Sequence, residues 1–232
     1  MYVDQRAHRI VIAIVGGGSS LAQGGIELFS RRGDQLVVFS RNRPELPPNV
    51  EWVETRYDVS DGSLEGLATK GIRTVVWLAS PFPRGLLVKQ DEMVIRQALD
   101  SGLLYPAQFA KACLSTMIQT GFGRFVFAGS SLAKIGDEGA LLYMIIKQGV
   151  HGLSRGLAME YARLGIRSNV IDLGPMISGY AEHLPKGRAQ EYRNRSVRRK
   201  FITSEEFWES ADFLIGSNSI NGVVLTLDGG MR

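Results

Sequence analysis

The chain has 232 residues, 44% hydrophobic and 22% charged, enough for one domain with a sizeable core. No apolar run reaches 18 residues, so no membrane span is expected, and 1 Cys with 3 His gives no zinc cluster. The net charge of +4 is concentrated in one stretch, so no nucleic-acid partner is expected.

The N-terminus leads quickly into glycines and lacks the layout of a signal peptide. A lone cysteine, Cys113, excludes an internal disulfide and suits a reducing, cytoplasmic setting. Ile10-Val11-Ile12-Ala13-Ile14-Val15 is a continuous, β-branched run. It reads as a strand buried on both faces of a parallel sheet. A glycine-rich turn from Gly16 to Gly25 and an apolar helical stretch follow. Glycines let the backbone approach a phosphate, and free N–H groups at a helix start attract it. Gly16, Gly18, Ser19, Ser20 and Leu21 are therefore candidate cofactor contacts, with a plain tight turn as the alternative.

Leu36-Val37-Val38-Phe39 is the second strand and ends at Ser40-Arg41. An NAD-binding unit carries a carboxylate here for the ribose 2′-hydroxyl. A carboxylate would repel a 2′-phosphate, whereas a guanidinium pairs with it. NADP(H) is the expected cofactor, with Ser40 and Arg41 against it. Val50 to Thr55 is the third strand, followed by Asp58 and Val59. Asp58 either accepts from an adenine amino group or caps a helix starting near Ser63.

Thr74 to Ala79 is the fourth strand, stopped by Ser80-Pro81-Phe82-Pro83. Helical periodicity covers 87–99 and 103–120, with Cys113 as a packing residue on an apolar face. Arg124 to Ala128 is the fifth strand and leads into Ser130; Arg167 to Asp172 is the sixth, and Gly222 to Leu227 the last. The helix from about Leu141 to Leu164 is apolar on much of its surface, which suits packing on the sheet and on another subunit. His151 on it reads as a packing or surface residue. Strands alternating with helices predict an α/β fold: one doubly wound parallel sheet of about seven strands, helices on both faces, in a single Rossmann-type domain over 1–232.

Between strand six and the last helix, Lys186, Arg188, Arg193, Arg195, Arg198, Arg199 and Lys200 face only Glu191. The segment 178–203 reads either as a basic lid over an anionic substrate or cofactor, or as a solvated face.

Tyr143 and Lys147 are four residues apart, hence on one face of their helix. A phenol ordinarily titrates near 10, and lowering it to neutrality takes about 4 kcal/mol. Two unit charges about 4 Å apart at an effective dielectric near 20 supply that much. On a partly buried helix such a pair can act as a general acid, with Ser130 able to hydrogen-bond the substrate oxygen; a chance helical spacing is the alternative.

In order and spacing, these segments resemble the short-chain dehydrogenase/reductase family over nearly the whole chain. Gly16 to Gly25 sits at its cofactor turn; Ser130, Tyr143 and Lys147 match its Ser and Tyr-x-x-x-Lys. Gly165-Ile166-Arg167-Ser168-Asn169-Val170 with Leu173-Gly174, and Asn221-Gly222 to Asp228-Gly229-Gly230-Met231, match its later strands. The resemblance implies a nicotinamide cofactor and hydride transfer at a carbonyl or alcohol carbon. Tyr143 would be the acid/base, Lys147 would lower its pKa and hold the ribose, and Ser130 would hold the substrate oxygen. Ala79, Ser80, Gly174, Met176 and Ser178 would line the cofactor. A homodimer or homotetramer is implied, and no metal.

The chain departs from the family in its glycines, Gly16-x-x-x-Ser20-x-Ala22. Trp77-Leu78-Ala79-Ser80 stands in place of Asn-Asn-Ala-Gly, and Leu173 precedes Gly174. The family's relay asparagine falls at Gly102, with Ser101 or Asp100 as substitutes. The expected activity is NADPH-dependent reduction of a small carbonyl substrate, including anionic or carrier-linked ones. An oxidative dehydrogenase or epimerase, and a non-catalytic NADP(H)-binding sensor or partner subunit, stand as alternatives.

Overall fold

A computed structural model describes residues 10–176 and 186–231. Seven parallel strands form one sheet in the order β3-β2-β1-β4-β5-β6-β7. They are β1 (Val11–Val15), β2 (Gln35–Ser40), β3 (Glu51–Glu54), β4 (Ile72–Trp77), β5 (Gly123–Ser130), β6 (Ile166–Leu173) and β7 (Val224–Leu227). All seven expected strands form. The order reverses between β1 and β4, which opens a crevice beyond their carboxyl ends, the usual ligand position in such sheets.

Side chains alternate between two cores. On one face Ile12, Ile14, Val38, Val126 and Ile171 pack against α1 (Ser20–Arg31) and α7 (Ser204–Gly216). On the other, Val15, Val37, Phe39, Trp77 and Phe127 pack against α3 (Tyr105–Thr120) and α5 (Leu141–Glu160). Cys113 lies buried in this second core, and burial pushes its thiol up to about 12. It is a packing residue.

Trp208 of α7 is wedged against Gly24 and Gly25 of α1; a Cβ on Gly25 would lie 2.2 Å from its ring. Its indole N–H donates to the Leu21 carbonyl at 2.7 Å. These two glycines therefore serve helix packing, and only the first three of the run belong to the turn.

Two helical expectations change. No α-helix starts near Ser63; only a 3-10 turn forms at Leu67–Lys70. Tyr57 and the glycines at 62, 66 and 71 have positive φ, which breaks the segment into turns. The expected helices at 87–99 and 103–120 are one run. α2 (Glu92–Leu99) passes through a π-turn at Asp100–Leu104 into α3. Gly102 makes that possible, because a Cβ there would lie 2.7 Å from Ile146 on α5.

Candidate active site

The crevice is a cleft of about 1060 Å³. Gly16 and Gly18 line it after β1, and the N–H groups of Gly16 and Gly17 both donate to the Phe39 carbonyl, at 2.9 and 3.0 Å. A Cβ on Gly16 would meet the Ala79 nitrogen at 2.6 Å, and one on Gly17 would meet Val38 at 2.1 Å. Gly18, by contrast, has nothing within 3.8 Å of such an atom and faces the opening. Ser19 caps α1, accepting from Ala22 N–H at 3.2 Å. The first turn of α1 carries no acidic side chain, so the turn is suited to a phosphate.

After β2, the Ser40 hydroxyl donates to the Asn42 carbonyl at 2.7 Å and accepts from the Trp52 indole at 2.9 Å. This fixes the turn that carries Arg41 and Arg43 into the cleft, where Arg56 joins them from the segment after β3. Tyr57 also lines the cleft, and burial pushes its phenol up to about 12. Asp58 and Val59 do not line it. The Asp58 carboxylate turns back on Ser60, accepting from its N–H at 2.9 Å and its hydroxyl at 2.8 Å. Ser20 is an exposed helix residue outside the lining.

At the other end the cleft is lined by Ala79, Ser80, Ser130, Tyr143, Lys147, Gly174 and Met176. Ser130 is buried at the end of β5. Tyr143, half-buried on the first turn of α5, packs edge-on against Phe82 at 4.3 Å between ring centroids. Lys147 is buried one turn on, its Nζ 5.6 Å from the Tyr143 ring centroid and donating to the Ala128 carbonyl at 2.7 Å. Burial pulls the Lys147 ammonium down to about 8, against the opposing charge of Asp172. One wall thus unites a hydroxyl, a phenol and a buried amine.

Other expected residues lie elsewhere. Ser178 falls outside the described residues, as does the start of the 178–203 segment. Its later part forms α6 (Lys186–Arg195) and a strap against the C-terminal turn. Arg198 pairs with Glu206, and its N–H donates to the Gly229 carbonyl at 3.0 Å. Arg198 and Arg199 are therefore not cleft residues. Ser101 lines the cleft, but its hydroxyl donates to the Gln97 carbonyl at 2.7 Å, and Gly102 has no room for an asparagine. Sequence reasoning missed Arg43, Arg56, Tyr57 and Met231 as lining residues; the stiff, proline-flanked loop after Ser80 lines the cleft with Phe82 and Arg84.

A doubly wound sheet with a glycine turn at its switch point and a Ser, Tyr and Lys wall defines a dinucleotide-dependent class of enzyme fold. The family profile described as enoyl-(acyl carrier protein) reductase matches residues 69–232. A 3-oxoacyl-(acyl-carrier-protein) reductase of Mus musculus is 30% identical, spanning 96% of this chain and 98% of its own length. Carbonyl reductase family member 4 of Xenopus tropicalis is 33% identical over the same shares. A candidate NAD(P)-dependent gluconate 5-dehydrogenase structure from Beutenbergia cavernae, with bound NADP, superimposes with a TM-score of 0.87 at 22% identity, covering 96% of each chain. The chain belongs to the short-chain dehydrogenase/reductase family and is an oxidoreductase.

Proposed function

We propose that the protein is an NADPH-dependent ketoreductase that reduces the 3-oxo group of an acyl thioester. The observation that carries this reading is the cleft itself: Arg41, Arg43 and Arg56 at one end, and Ser130, Tyr143 and Lys147 at the other. The activity named for the mouse relative, and the NADP named for the Beutenbergia cavernae structure, support the substrate class and the cofactor. The residues fit that cofactor. Gly18 leaves open space for a pyrophosphate, and the three guanidiniums suit a 2′-phosphate.

When bound, the reduced nicotinamide supplies a hydride to the carbonyl carbon. Ser130 holds the carbonyl oxygen, and Tyr143 gives that oxygen its proton as the new C–H bond forms. The Lys147 ammonium compensates the phenolate left on Tyr143 and would hold the ribose hydroxyls of the bound cofactor. Phe82 packs edge-on against Tyr143 and restricts the rotation of its ring. Apolar Met93 on α2 and Ile145 on α5 are 65% and 45% exposed, and a second copy of the chain would cover them.

Turnover of acetoacetyl-coenzyme A, followed by loss of NADPH absorbance, tests the reading. Tyr143→Phe is expected to lower kcat about a hundredfold or more while NADPH still binds. Parent-rate turnover by that variant would overturn it.

A further inference from the structure

Asp172, the penultimate residue of β6, lies beneath the catalytic wall, wholly buried and outside the cleft lining. It is paired in register with Gly129, the residue between Ala128 and Ser130 on β5. One carboxylate oxygen, Oδ1, accepts from the Ser130 main-chain N–H at 3.1 Å and lies 2.7 Å from Nε2 of His151 on α5. The other, Oδ2, is 2.9 Å from the ammonium of Lys134 on α4 (Leu132–Ile135), an ion pair rather than a directed hydrogen bond. Glycine at 129 makes the reach possible, because a Cβ there would stand 2.1 Å from Oδ1 and 3.0 Å from the His151 nitrogen. The Lys147 ammonium grips the Ala128 carbonyl two residues before Ser130. A buried cation and a buried anion therefore hold the same three residues of β5.

We propose that Asp172 is a positioning residue for the reaction: it anchors the main chain at Ser130 and is the internal counter-charge of Lys147. This rests on the reading of Ser130, Tyr143 and Lys147 given above. A carboxylate is costly inside a protein unless paired. Burial alone would push the Asp172 carboxyl up, but its contacts with His151 and Lys134 outweigh that and hold it below the ordinary range. It stays an anion at neutral pH, and its charge acts against the fall that burial imposes on Lys147. The groups facing this pair are Tyr143 and His151 on α5 and Lys134 on α4. Lys134 is the outlier, with 47% of its side chain exposed, and as a cation it offsets part of the charge that Asp172 offers Lys147.

Asp172→Asn keeps the shape and removes the charge. In carbon-13 lysine-labelled protein without cofactor, the ε-carbon signal of Lys147, assigned by its loss in Lys147→Met, is expected to titrate about one pH unit lower or more in Asp172→Asn. The alkaline limb of kcat/KM for acetoacetyl-coenzyme A and NADPH moves the same way. Lys134→Gln is expected to move both upward, which a purely structural loss would not do. An unshifted Lys147 signal in folded Asp172→Asn overturns the proposal. Should that variant not fold, the absence of an upward shift in Lys134→Gln overturns it. Tyr143→Phe separates the two readings: if it is inactive while Asp172→Asn is unshifted, only the role of Asp172 fails. If it turns over normally, the assigned activity fails and the titration still reports on Asp172.

Discussion

Arg84 and Asp137 pair at 2.9 Å and latch the loop after β4 onto the turn before α5. A backbone bond from Gly85 N–H to the Gly139 carbonyl, at 2.9 Å, closes the same seam. The Arg84 guanidinium also sits 5.5 Å over the Phe82 ring, which in turn packs on Tyr143. The latch therefore positions the aromatic cover of Tyr143, the proposed proton donor.

Breaking the latch should loosen that cover. Such a partly exposed pair contributes about 1 kcal/mol, so Arg84→Ala is expected to raise KM for a ketoacyl thioester about fivefold. Asp137→Ala is expected to do the same in steady-state kinetics. If Arg84 instead served only to bind an anionic substrate, freeing it in Asp137→Ala would lower KM.

In the proposed function, Arg41 sets the cofactor choice. Its guanidinium contributes charge only where a 2′-phosphate is present, so Arg41→Ala is expected to weaken NADPH binding about tenfold and leave NADH nearly unchanged. Fluorescence titration with both cofactors measures the ratio. Equal losses for the two would place the 2′-phosphate elsewhere.

The pH dependence follows from Lys147. Its folded value, about 8, lies below the ordinary lysine range. The ammonium is therefore intact below about pH 8, and kcat/KM should fall as pH rises through that value. Stability moves oppositely. Between the folded and unfolded values the unfolded chain binds more protons, so stability rises with pH. The cost of burying the charge is complete below the folded value and fades above it. The parent should thus gain stability relative to Lys147→Met as pH rises from about 8 toward the ordinary lysine range, read from urea midpoints.

Trp208 joins α7 to α1 with 3% of its surface exposed. Trp208→Ala removes a large wedge that two glycines were shaped to receive, and is expected to cost about 3–5 kcal/mol. Gly25→Ala should also destabilise, because its methyl meets the indole. Thermal melts of both check this; a parent-like melting temperature for Trp208→Ala would contradict it.

The strands were legible because a parallel sheet covered on both faces demands unbroken runs such as Val11 to Val15. The Tyr143 and Lys147 relationship was legible because four-residue spacing on a helix fixes a shared face. What escaped the sequence depends on contacts between distant segments. Gly24 and Gly25 look like more of the phosphate turn until Trp208, far along the chain, fills the space above them. Asp58 looks available to a ligand, yet Ser60 occupies its carboxylate. His151 and Asp172 are individually unremarkable in sequence, and only the pairing of α5 with β6 makes them partners. The π-turn at Gly102 was hidden because its cause, Ile146, lies on another helix.

The indole of Trp52 donates to Ser40 at the rim of the arginine-lined end of the cleft. The molecule thereby carries its own lamp beside the place where a dinucleotide would settle. Ultraviolet emission from that ring overlaps the absorption band of a reduced nicotinamide, so docking can be watched as quenching and sensitised blue light with no label attached. Replacing Trp77 and Trp208 by phenylalanine, if the fold survives, would leave a single reporter on occupancy.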